Sequence, residues 1–145
     1  MGEPHPKPPR FDEMFAAAAA ARVNAHCPYS RFPVGAAVLD EQGRVFAGCN
    51  VENAAFQPGS CAEQTAIGSM VAAGGRRLAA VLVIGGREGN GALCSPCGAC
   101  RQRIREFADD PVPVYVCGPE GLRLATTLGE LLPHSFGPDT LAAQQ

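Results

Sequence analysis

Two rhythms of apolar and polar positions run along this chain. From Phe11 to Ala25, around the alanine run Ala16–Ala21, the residues are strong helix formers, and Asn24 with Cys27-Pro28-Tyr29 marks the stop. Val34–Leu39 and Arg44–Asn50 are short apolar runs joined by Asp40-Glu41-Gln42-Gly43, which predicts a β-hairpin. Ser60–Ala73 has helical spacing, with Ile67, Met70 and Val71 as core contacts and Gly74-Gly75 as its end. Leu78–Ile84 is unbroken apolar sequence, as expected of a strand buried on both faces. A helix over Ser95–Ala108, a strand over Val112–Cys117, a turn at Gly118–Gly121, a strand at Leu122–Ala125 and a helical tail over Thr127–Leu132 complete the pattern. A helix, a hairpin and then alternating helices and strands predict an α/β fold. Its form is a three-layer α-β-α arrangement, with a mixed sheet of about five strands and helices on both faces. No repeat or boundary divides residues 11–145, which read as one domain. Residues 1–10 read as a disordered arm, because the prolines at 4, 6, 8 and 9 remove backbone donors.

Composition narrows the functional classes. The chain has 145 residues, 46% hydrophobic and 18% charged, which is an ordinary globular mixture. Twelve basic against 14 acidic residues give a net charge of −2, which argues against a polyanion binder, since gripping a phosphate backbone needs clustered positive charge. No apolar run approaches the roughly 20 residues of a membrane span, and Met1–Arg10 lacks the apolar stretch of a secretory signal. Seven cysteines are an odd number for a disulfide framework and read as cytoplasmic thiols available to a metal or to catalysis.

Two segments carry candidate chemistry: Ser60-Cys61-Ala62-Glu63 and Cys94-Ser95-Pro96-Cys97-Gly98-Ala99-Cys100-Arg101-Gln102. Both fall at predicted helix starts, where the helix dipole and free N–H groups favour thiolate over thiol. Ser95-Pro96 suits a helix cap with proline in the first turn, which would set Cys97 and Cys100 three apart on one face. Three thiolates leave one tetrahedral position open, the arrangement of a catalytic zinc. Glu63, two residues after Cys61, reaches the same point only if Cys61 sits at the very start of its helix.

Plainer readings stand beside this one. Ser60-x-x-Glu63 is also a capping box, Cys97-x-x-Cys100 could be a redox pair, and Cys61 alone could be a small buried hydrophobe. Cys94 extends the series to C-x-x-C-x-x-C, so with Cys61 it could close a four-cysteine structural zinc site, and the spacing is near that of iron–sulfur ligation. Position 103 is Arg, so a ferredoxin-type run stops short.

A metal ligand, one residue, a glutamate and a later P-C-x-x-C is the signature of zinc deaminases, in which three-cysteine ligation is allowed. With Cys27-Pro28-Tyr29-Ser30-Arg31-Phe32-Pro33-Val34-Gly35-Ala36, Gly48–Ala54 and Glu130–Pro138, the chain resembles the small homotetrameric cytidine deaminases from about Ala25 to its C-terminus. The resemblance implies hydrolytic deamination of cytidine and 2′-deoxycytidine to uridine and 2′-deoxyuridine plus ammonia, in pyrimidine salvage. It implies one zinc ion per chain on Cys61, Cys97 and Cys100, with Glu63 moving protons. It also implies that Asn50 and Glu52 grip the ribose and that backbone at Ala62 holds the cytosine edge. Phe32 and Phe136 would sandwich the base, the second of them from a neighbouring subunit. Ala54 and Phe56 would reach a neighbour's site, so the active sites would be shared within a homotetramer. The partner is a small nucleoside, with no nucleic acid and no membrane. The alternatives are a deaminase of another amino-heterocycle or cytosine nucleoside antibiotic, and a non-catalytic four-cysteine zinc module.

Two positions depart from the family pattern. Gln64 stands where three-cysteine members usually carry Arg, so the negative charge of the metal site is less well offset unless Arg101 compensates. Phe56 stands where Tyr is common, which removes a hydroxyl near the sugar.

Overall fold

The computed structural model describes residues 9–144, so most of the arm expected over residues 1–10 lies outside the described residues. Ten elements follow in order: α1 (Phe11–Val23), β1 (Gly35–Asp40), β2 (Val45–Cys49), α2 (Ala62–Ala72), β3 (Leu78–Ile84), α3 (Gly98–Phe107), β4 (Pro113–Gly118), β5 (Gly121–Thr127), α4 (Leu128–Leu131) and α5 (Pro138–Ala142). The strands form one sheet in the order β2-β1-β3-β4-β5, with β3 and β4 parallel and every other pair antiparallel. The expected hairpin is β1–β2, with Gly35 opposite Cys49 and Leu39 opposite Val45.

Alternation along the strands builds two cores, one on each face of the sheet. Ala37, Ala80, Leu82, Ile84, Tyr115 and Cys117 meet Phe11, Met14 and Ala18 of α1. Ala36, Val38, Val81, Val83 and Val114 meet Ala62, Ala66, Ile67 and Met70 of α2, Ile104 of α3 and Leu128 of α4. Helix, sheet and helices are therefore the three layers. The alanine run lets α1 lie very close to the sheet. Ala18 has no exposed surface, and a Cβ added at Gly35 would collide with the Ala18 carbonyl and come within 2.8 Å of Arg22 Cβ.

The structure departs from the sequence reading mainly at helix starts. The second and third helices begin later than expected, with Cys61 and Cys97 themselves as the extended N-cap residues, and no side chain caps either helix. Ser60 instead pairs through its backbone with Val51, so the capping box that Ser60-x-x-Glu63 also allows is absent, and so is the Ser95-Pro96 cap. The tail helix forms as α4, capped by the Thr127 hydroxyl accepting from the Glu130 amide. The short α5 was not expected at all, since five residues carry too little periodicity to register.

Candidate active site

The site lies where the N-terminal ends of α2 and α3 meet. Strand β2 ends at Cys49, but the chain stays pinned beyond it. The His26 amide donates to the Asn50 carbonyl at 3.0 Å, the Glu52 amide to the His26 carbonyl at 2.7 Å, and Val51 and Ser60 exchange bonds of 2.9 and 2.8 Å. Residues 50–52 are thereby clamped between the segment after α1 and the segment leading into α2. A second constraint seats α2 itself. A Cβ at Gly48 would stand 2.6 Å from the Ala66 nitrogen and 2.7 Å from the Ala62 oxygen, so only glycine lets the first turns of α2 press against β2 at this depth.

Both helix starts deliver sulfur. The Sγ atoms of Cys61, Cys97 and Cys100 lie within 4.8 Å of one another, and Cys61 and Cys97 are 3.8 Å apart. Tetrahedral zinc with Zn–S near 2.3 Å places its sulfurs about 3.8 Å apart, so the donor set and its spacing fit zinc. Position at the N-cap resolves the geometric difficulty at Glu63: Cys61 is extended, at φ −75° and ψ 157°, so regular helical spacing does not separate it from Glu63. The thiols interact strongly. A hydrogen bond from Cys100 pulls the Cys61 thiol down to about 6, and the same bond, reinforced by burial, pushes Cys100 up.

Cys94 is not a member of the sulfur cluster. Its thiol packs against Gly85, and burial pushes it up to about 11, so it is a neutral group beside the site. The four-cysteine and iron–sulfur alternatives lose their fourth ligand.

The cluster opens into a cavity of about 640 Å³. Asn50, Glu52, Phe56, Cys61, Ala62, Glu63, Cys94 and Cys97 are among its lining residues. Glu63 is 4% exposed and, among the described residues, forms no ion pair. Ala62 is buried and shares the wall with Glu63. Asn50 and Glu52 both face the cavity and also hold its opposite wall. Asn50 accepts from the Val34 amide at 2.8 Å and donates to the Phe32 carbonyl at 2.9 Å. Glu52 accepts from the Tyr29 and Ser30 amides at 3.0 and 3.1 Å, and the Ser30 hydroxyl and amide with the Tyr29 amide hold its carboxyl below the usual range.

Phe32, Ala54 and Phe136 do not line the cavity of the single chain. All three are exposed; Phe136 is 58% accessible, and its carbonyl accepts from the Gln102 side chain. Phe56 lines the cavity yet is 80% exposed, held at φ 61° in the turn after Asn53.

Arg101 does not compensate for the missing Arg at position 64. Its guanidinium donates to the Pro96 and Leu131 carbonyls at 2.8 and 2.7 Å and to the Ser95 hydroxyl at 3.3 Å, so it fastens the loop before α3 to α4. The cation that reaches the sulfurs is Arg103, whose Nη1 lies 3.6 Å from Cys100 Sγ. In the sequence, Arg103 stands out only as the residue that stops a ferredoxin-type run. Its spacing of three residues from Cys100 was the available signal.

Comparison with known proteins agrees with this geometry. A family model described as the cytidine and deoxycytidylate deaminase zinc-binding region matches residues 9–116. A cytidine deaminase of Sporosarcina psychrophila is 43% identical over 136 residues, 92% of this chain and 98% of its own. One from Mycobacterium tuberculosis is 39% identical over 125 residues, covering 86% and 88% of the two chains. The crystal structure of cytidine deaminase from Burkholderia pseudomallei superposes with a TM-score of 0.78 at 42% identity, over 86% of this chain and 98% of that one. Sulfur spacing, sheet order and sequence identity converge, and the chain belongs to the zinc-dependent cytidine and deoxycytidylate deaminase family.

Proposed function

We propose that this protein hydrolytically deaminates cytidine and 2′-deoxycytidine, releasing uridine or 2′-deoxyuridine and ammonia in pyrimidine salvage. The observation that carries the reading is Glu63, a buried carboxylate that forms no ion pair among the described residues, in the same cavity wall as the sulfur cluster. Cys61, Cys97 and Cys100 would hold the zinc ion. When bound, zinc supplies a Lewis acid that makes water ionise near neutral pH.

The remaining work falls to the chain's own groups. Glu63 accepts the proton of the attacking water and delivers it to N3 of the pyrimidine, which makes C4 electrophilic. After oxygen bonds to C4, Glu63 carries the second proton to the exocyclic nitrogen, the C4–N bond breaks, and ammonia leaves. Burial serves this role, because a carboxylate away from water exchanges its proton with the substrate rather than with solvent. Backbone at Ala62 holds the cytosine edge, and Asn50 and Glu52 bind the ribose hydroxyls. The cavity volume lies inside the roughly 300–1,000 Å³ range of small-molecule sites.

In this reading residues 11–145 act as one catalytic domain, and the working particle is a homotetramer. Tyr29, Phe32, Val51, Phe56 and Phe136 are large exposed hydrophobic residues, and Tyr29, Val51 and Phe56 also line the cavity. An apolar rim of that kind supports closure by a neighbouring subunit, with Phe136 and the 54–56 turn reaching across. Among the described residues, no helix is long and apolar enough to cross a membrane. Seven unpaired thiols support a reducing, cytoplasmic setting. Incubation of the purified protein with cytidine tests the reading: equimolar uridine and ammonia are expected, and zinc-loaded protein that converts neither nucleoside would contradict it.

A further inference from the structure

Binding zinc to three cysteines replaces as many as three thiol protons with one divalent ion, leaving the site with a net charge of −1. Such a charge behind a half-buried wall is costly unless a cation faces it. Helical spacing offers two places for that cation, three residues after Cys61 on α2 and three residues after Cys100 on α3. The first is occupied by Gln64, which is neutral, and the second by Arg103.

Arg103 Nη1 lies 3.6 Å from Cys100 Sγ, within hydrogen-bonding reach of sulfur. Among the described residues it forms no ion pair with any carboxylate. Arg101, Arg105 and Arg22 are directed elsewhere: to the Pro96 and Leu131 carbonyls, to Asp139 and the Ala108 carbonyl, and to the Pro33 and Gly86 carbonyls. Half-buried, with its guanidinium turned to sulfur, Arg103 has the position of an outer-shell partner that donates to a metal ligand.

We propose that Arg103 is the positioning residue of the metal centre, donating to Cys100 Sγ and offsetting the charge of the zinc-loaded cluster from α3, in place of a cation on α2. The inference rests on the assignment of zinc to Cys61, Cys97 and Cys100.

Competition of the holoenzyme against a chromogenic zinc chelator tests it without reference to turnover. Arg103→Gln is expected to lose zinc affinity by about 10–100-fold, the usual effect of removing an outer-shell partner. Arg103→Lys, which keeps the charge, should recover most of that loss. So should Gln64→Arg in the Arg103→Gln background, because it restores a cation at the other helical position. Thermal unfolding of each holo variant, followed by circular dichroism, identifies any that fails to fold, and the double variant then supplies the comparison. Affinity of Arg103→Gln within about twofold of the parent, or an Arg103→Lys loss equal to it, overturns the proposal. Failure of the parent to bind one equivalent of zinc would instead overturn the ligand assignment beneath it.

Discussion

Asp40 and Glu63 are the two buried acidic residues among those described, and their surroundings differ. Asp40 accepts from the Gln42 and Arg44 amides at 3.0 and 2.8 Å and from Arg44 Nε at 2.8 Å, so it closes the β1–β2 turn. Burial pushes its pKa up, but the Arg44 amide and guanidinium with the Gln42 amide outweigh it and hold the carboxyl below 3.8. A folded-state pKa below the unfolded one gives stability that is complete above the unfolded value and is lost as pH falls through the folded value. Asp40→Asn is therefore expected to cost about 1–3 kcal/mol at neutral pH, as for a buried hydrogen-bond partner left unsatisfied. The gap should close in acid below the unfolded value. Urea titrations of both proteins at pH 7 and pH 3 check this, and an equal gap at both values contradicts it. Among the described residues Glu63 has no comparable set of donors and hydrogen-bonds with Cys100, and in the proposed function it is the group that moves protons. The sequence alone could not separate its two roles, because Ser60-x-x-Glu63 satisfies a capping box as well as a catalytic motif. Backbone pairing of Ser60 with Val51 is what removes the first, and that contact is nonlocal.

Helices α2 and α3 form the cluster because each starts with a cysteine in extended conformation, and both starts are packed against fixed structure. For α2 the fixed structure is β2, through Gly48. A methyl group there meets backbone atoms of Ala62 and Ala66, which cannot yield as a side chain can. Gly48→Ala should cost about 1–3 kcal/mol by overpacking, and it should lower zinc occupancy along with activity, since the strain falls on the turn carrying Cys61. Metal analysis and thermal unfolding of the purified variant check it. Parent-level zinc content would show that the seat of α2 is not what sets the cluster. Interior elements are plain in the sequence: the apolar runs Val34–Leu39 and Leu78–Ile84 match β1 and β3 closely, because both strands are buried on nearly every residue. Helix starts were displaced by two or three residues, since Ser and Pro at 95–96 are good caps locally while the metal loop requires extended backbone as far as Cys97.

For the whole molecule, the single chain supplies the sulfur cluster, Glu63 and the Asn50–Glu52 wall, but leaves an apolar rim around the cavity. Phe32 and Phe136 stand outside that wall, and the proposed shared site would bring Phe136 in from a neighbouring subunit. The active particle is expected at four times the chain mass by light scattering. Phe136→Ala is expected to raise KM by about 5- to 150-fold with zinc content unchanged, given about 1–3 kcal/mol for stacking a base on an aromatic ring. A monomer with full activity would refute the shared site. None of this rim was legible from periodicity, because an exposed Phe in sequence looks the same as a buried one; only the resemblance to a family placed it. Glu63 stands at the centre of the proposed chemistry, and it is probed by uridine and ammonia release from cytidine by the parent and by Glu63→Ala, with zinc content measured in both. Stoichiometric products are expected from the parent, with a loss of about 10²–10⁴-fold in the variant at equal zinc, the span usual for general acid–base catalysis. Comparable turnover by both proteins would contradict it.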